Sequence, residues 1–159
     1  IQEMMLDRNI RLIFYDAQNA DQLQKQKAKD MDFEPDLIVY QGGEHWGTSH
    51  LPGLENLYRT MIQTLRTSYP AAKIITIGIW NPLCRDEFQE FSSEKNSMII
   101  ENIQKTVSAE FGIPFASVLA FSQDPDNTGY GKVAAVRWHP NDNGMRCYAE
   151  AAFEAFQKL

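Results

Sequence analysis

Pro35-Asp36-Leu37-Ile38-Val39-Tyr40-Gln41-Gly42-Gly43-Glu44-His45-Trp46-Gly47 is an apolar run that passes straight into a glycine turn. Leu37 to Tyr40 show no alternation of apolar and polar residues. Bounded by Pro-Asp and Gly-Gly, such a run predicts a parallel strand over 36–41, covered on both faces. The glycine pair allows positive φ or a close backbone approach to a ligand. Glu44, His45 and Trp46 then project from the turn. Two readings stay open there: backbone N–H groups and a side-chain donor aimed at an oxyanion, or a tight strand-to-helix turn with no chemistry.

Outward from this stretch the chain alternates strand and helix. Upstream, Ile10 to Tyr15 form a short β-rich run, and Ala20 to Asp32 read as a charged surface helix with Leu23 inward. Downstream, Leu54, Leu57, Met61 and Leu65 mark one helix face. Lys73 to Trp80 predict a second buried strand, stopped by Asn81-Pro82. Asp86 to Phe111 predict a long helix with Ile99, Ile100, Ile103 and Val107 inward, capped by Gly112-Ile113-Pro114. Phe115 to Leu119 predict a last strand, and 120–137 is turn-rich and irregular. Repeated βα units imply a three-layer α/β/α sandwich around a mostly parallel sheet, in which ligands collect at the C-terminal strand ends. Gly42 to Gly47 and Ile79 to Pro82 both follow strands, so they belong on one rim.

Composition narrows the function. The 159 residues suit one domain, 1–159, and 43% apolar with 23% charged residues is ordinary for a globular protein. A net charge of -6 with no basic cluster argues against a nucleic-acid or anionic-membrane surface. No apolar run is long enough to span a bilayer. Cys84 and Cys147 fit neither a disulfide framework nor a zinc pattern, which leaves the compartment open. A metal site from Glu44, His45 and His50 is disfavoured, because an adjacent Glu-His pair does not easily ligate one ion from a turn.

The second informative stretch is Val136-Arg137-Trp138-His139-Pro140-Asn141-Asp142-Asn143-Gly144-Met145. Pro140 biases His139 away from helix and holds it extended at the mouth of the final helix, where an imidazole can face a cleft. Asp142 is the expected turn and helix-capping residue.

Together, the strand ending in Gly43-Glu44-His45 and the His139-Pro140-Asn141-Asp142 segment before the last helix resemble the third and fifth sequence blocks of the SGNH (GDSL-type) ester hydrolases. The resemblance covers most of the chain. It implies a flavodoxin-like α/β fold and His139 as catalytic base. In the family's G-x-N block His45 takes the place of the Asn; an imidazole N–H is able to replace the amide donor, whereas Glu44 in that place would be acceptor-only. Val136 occupies the Asp position of the usual D-x-x-H, which leaves a Ser–His dyad with a backbone carbonyl or water on the second ring nitrogen.

No Gly-Asp-Ser occurs in the sequence, and Ile1 to Leu6 read as the close of a helix. The resemblance therefore implies a first strand and a nucleophilic Ser upstream of Ile1, in cis or in trans. Trp46, Trp80 and Trp138 would form apolar or sugar-stacking walls. The implied activity is hydrolysis of an ester of a small molecule or carbohydrate, without a cofactor. Two other readings stand beside it: an inactive glycan- or peptide-binding module on the same fold, and an unrelated flavodoxin-like domain for a nucleotide or partner. The latter lacks a phosphate-cradling glycine loop.

Overall fold

The computed structural model describes residues 11, 13, 19–29, 33–43, 51–82 and 94–159, with the backbone alone for 94–96. The chain divides into two compact units, Ile1–Phe33 and Glu34–Leu159. In the first, helix α1 (Ala20–Lys27) is capped by Asn19, whose side chain accepts from the Gln22 N–H at 3.0 Å, and buries Leu23. It is shorter than the helix expected over 20–32. The strand expected over 10–15 lies almost wholly outside the described residues; Arg11, which is described, holds its guanidinium 4.9 Å above the Phe33 ring.

The second unit is a layered α/β structure. Strands β1 (Leu37–Gln41), β2 (Lys73–Ile77) and β3 (Phe115–Ala116) form a parallel sheet in the order β1-β2-β3. Between them run helices α2 (Leu51–Ser68) and α3 (Glu94–Glu110). After β3 come the short helix α4 (Leu119–Ser122), a 3-10 turn at Pro125–Asn127, the short helix α5 (Ala134–Arg137) and the long helix α6 (Asp142–Phe156). The irregular reading of 120–137 is thus replaced by three single turns of helix.

Alternation of side chains along β2 assigns the layers. Ile75 and Ile77 pack with Trp80, Val118 and Ala155, against Tyr148, Ala151 and Ala152 of α6. On the other face Tyr58, Ile62 and Val107 join Tyr40 and Ile103, and the Thr76 hydroxyl meets that of Ser108 at 2.8 Å. Helices α2 and α3 therefore cover one face and α6 the other. Leu54, Met61 and Leu65 are buried as their spacing requires, with Tyr58 and Ile62 beside them. Arg59 of α2 is ion-paired with both Glu55 and Glu110, linking the two helices at the surface. Gly112, at φ +65°, ends α3, and the Ile113 N–H reaches back to the Ser108 carbonyl at 2.9 Å.

Two burial expectations are corrected. Val39 is 51% exposed, although its strand was expected to be covered on both faces. It pairs with Ile75 and so faces the α6 layer, but α6 packs on β2 and β3. Ile99, expected inward, is exposed; Ile100 and Val107 carry the inner stripe of α3.

Candidate active site at the C-terminal rim of the sheet

Strand β1 ends in a turn that only glycine fits. Gly43 has φ +98°, and a Cβ on Gly42 would lie 2.6 Å from the Tyr40 hydroxyl. The Gly42 carbonyl accepts from the fully buried Gln104 side chain. Beneath this turn the Tyr40 and Tyr58 rings lie 5.4 Å apart. Burial pushes both phenols above their ordinary value; for Tyr40 the neighbouring Tyr58 adds to the rise, while the nearby hydroxyls of Ser108 and Thr76 partly offset it for Tyr58. Glu44, His45 and Trp46 lie outside the described residues.

The end of β1 is tied to the end of β2 and to α6. The Gln41 amide donates to the Gly78 carbonyl at 3.1 Å and to the Tyr148 hydroxyl at 2.6 Å. Tyr148 in turn stacks on Trp80, with centroids 5.2 Å apart. A Cβ on Gly144, in the first turn of α6, would lie 2.9 Å from the Trp80 ring. Trp80 is only 3% exposed and is a packing residue between β2 and α6. Next to it, the Asn81 N–H donates to the Ser122 hydroxyl at 3.0 Å, and the Asn81 side-chain amide donates to Ser97.

The first turn of α6 is thereby seated over the end of β2, and the segment leading into it carries His139. That segment is held by main-chain and amide bonds. Thr128 and Pro140 form an antiparallel bridge, Gly129 N–H donates to the His139 carbonyl at 3.0 Å, and Asn141 N–H to the Asn127 carbonyl at 3.0 Å. The Asn141 amide donates to the carbonyls of Asp126 and Thr128, each at 2.8 Å. Its oxygen accepts from Gly144 N–H at 3.0 Å, which makes Asn141 the N-cap of α6. Asp142, the expected cap, is the first helical residue instead. Asn127 is buried, donates to the Phe121 carbonyl at 3.0 Å, and accepts from Asn143.

The imidazole itself is exposed, and its Nδ1 is hydrogen-bonded to the Ala135 carbonyl, four residues earlier. A carbonyl only accepts, so Nδ1 carries the proton and the lone pair of neutral His139 lies on Nε2. That is the tautomer a general base needs. The acceptor is supplied by α5, which is capped by half-buried Trp138, whose N–H donates to the Ala134 carbonyl at 3.0 Å.

Among the described residues, several serines are committed elsewhere: Ser97 to Asn81, Ser108 to Thr76 and the Gln104 carbonyl, Ser117 to Glu101, and Ser122 to Asn81 and the Leu119 carbonyl. No group of three or more His, Cys, Asp or Glu among the described residues is placed to hold a metal. No described helix is long and apolar enough to cross a membrane. The groups that sequence reading did not single out are the Ala135 carbonyl, Asn127 and the Asn141 amide. Only Asn141 left a signal, as an Asx residue immediately before a helix.

Neither a family model nor a curated protein matches the sequence. Solved structures do. A protein of Parabacteroides merdae assigned to the GDSL-like lipases superposes with a TM-score of 0.65 at 17% identity, over 89% of this chain and 69% of that one. LAE5, an alpha/beta hydrolase enzyme from the metagenome of Lake Arreo, gives 0.59 at 16%, over 89% and 69%. A member of the lipolytic G-D-S-L family from Veillonella parvula gives 0.54 at 16%, over 89% and 76%. The chain has the α/β fold of the GDSL-type hydrolases.

Proposed function

We propose that this chain supplies the base side of a Ser–His ester hydrolase. The observation that carries the reading is the Nδ1 bond of His139 to the Ala135 carbonyl, which leaves Nε2 to accept a proton. In the proposed reaction a serine hydroxyl attacks the ester carbonyl while Nε2 takes its proton. The tetrahedral oxyanion is held by N–H groups of the Gly42-Gly43 turn and by His45. His139 returns the proton to the departing alcohol, and water then repeats the cycle on the acyl-enzyme to release the acid. The Ala135 carbonyl fixes the ring and its tautomer, the part of the work for which no Asp stands at position 136.

With no Gly-Asp-Ser in the sequence, the nucleophile is assigned to polypeptide beyond these residues. The same absence favours a second reading, a binding module that lacks the nucleophile altogether. Both are tested on the protein expressed with its natural upstream sequence, assayed on p-nitrophenyl esters. Hydrolysis blocked by a fluorophosphonate, and lowered roughly 10²- to 10⁴-fold by His139→Ala, is the expected result. Full activity in His139→Ala would end the base assignment, and absence of any hydrolysis would leave the binding module.

A further inference from the structure

We infer that Gln104 is a positioning residue: it holds the Gly42 carbonyl on α3 and thereby aims the Gly43 N–H as an oxyanion donor. The inference rests on reading the chain as part of an ester hydrolase. Gln104 shares the inner stripe of α3 with Ile100, Val107 and Ser108, all fully buried. Its Nε2 donates to the Gly42 carbonyl, 62 residues away in sequence, and its Oε1 has no partner among the described residues. Packing alone would favour methionine or leucine there, since a buried amide with one end unanswered costs stability. What the glutamine adds is the bond to Gly42.

That bond matters because the sheet does not set the peptide between Gly42 and Gly43. Gly42 lies beyond the last ladder pair, Gln41 with Ile77. With no Cβ on either side, this peptide can turn over at little steric cost, and Gly43, at φ +98°, already stands in the region that glycine favours. A trans peptide carries its C=O and N–H on opposite sides. Fixing the Gly42 carbonyl to α3 therefore points the Gly43 N–H away from α3, at the strand end where sheets of this type collect their ligands. Without the bond, the same peptide could present its carbonyl there instead, and a carbonyl repels an oxyanion.

The test uses the protein with its upstream sequence and p-nitrophenyl acetate. Gln104→Met keeps the length of the side chain but has no N–H to give. Its kcat should fall about 10- to 100-fold with KM within about twofold, because the donor acts on charge that develops in the transition state. Ser108→Ala removes the neighbouring buried hydroxyl, which meets Thr76 and the Gln104 carbonyl, without touching Gly42; its kcat should stay at the wild-type level. An unchanged kcat in Gln104→Met, a change in KM alone, or an equal loss in Ser108→Ala overturns the inference even where His139→Ala abolishes hydrolysis. Full activity in His139→Ala, with kcat lost in Gln104→Met, ends the base reading and leaves Gln104 in its role. A wild type without hydrolysis ends both. Should Gln104→Met fail to fold, the wild type decides: a fluorophosphonate adduct sets a phosphoryl oxygen in the oxyanion's place, and the Gly43 amide proton must move downfield on labelling. No movement refutes the inference.

Discussion

Asn141 and Asn127 are joined main chain to main chain, and each then spends its side chain on the other's surroundings: Asn141 on the carbonyls flanking Asn127, Asn127 on the amide of Asn143. Asn141→Ala removes a helix cap, worth about 1 kcal/mol, and two amide donors to carbonyls, each worth about 0.5–1.5 kcal/mol. The expected loss is about 2–4 kcal/mol in urea unfolding. Asn141→Asp keeps the cap but turns an acceptor-only carboxylate oxygen onto both carbonyls, so it too should be destabilised.

Gly144→Ala sets two effects against each other. Alanine favours a helix over glycine by about 1 kcal/mol. The added methyl, however, would run into the Asn127 carbonyl and lie 2.8 Å from Pro140 and 2.9 Å from Trp80. Backbone does not give way cheaply, and overpacking costs about 1–3 kcal/mol. The variant should be destabilised on balance; an unchanged or raised unfolding midpoint would contradict the packing of α6 on Trp80.

The tautomer of His139 is directly observable. Long-range proton–nitrogen correlation spectra of the neutral ring should report Nδ1 as protonated and Nε2 as bare. The opposite pattern would mean that the Ala135 carbonyl does not hold the ring.

Alkaline pH should weaken the fold through Tyr40 and Tyr58. Burial raises both phenols in the folded state, with the unfolded chain releasing its protons near pH 10. Above that pH the folded state binds more protons than the unfolded one, so stability falls as pH rises, by up to about 1.4 kcal/mol per pH unit for each phenol. Below it the two tyrosines add no slope. Urea midpoints compared at pH 8 and 11 should drop, and drop less in Tyr40→Phe.

The helices α2 and α3 and the buried strand β2 were legible because their apolar spacing is local information. So was the place of His139 just ahead of the last helix, through the proline behind it. The half-open face of β1 was not: Leu37 to Tyr40 are all apolar, and only the position of α6 over β2 and β3 decides that Val39 stays uncovered. Nor was the partner of His139, since every residue has a carbonyl and only the turn of α5 selects that of Ala135. The turns between 119 and 137 carry no periodicity to read. They are fixed by Asn127 and Asn141, whose bonds connect positions 13–15 residues apart.

The bridge between Thr128 and Pro140, with the Gly129–His139 bond beside it, closes a neck at the base of the loop that it encloses. A neck of this kind separates inheritance of His139 from inheritance of what surrounds it. The tip around Gly131, at φ +105°, and Lys132 is exposed, and lengthening a loop twofold costs only about 0.6 kcal/mol. Segments grafted at the tip would therefore alter what passes before the imidazole while the neck keeps it in register, making this loop a replaceable cassette.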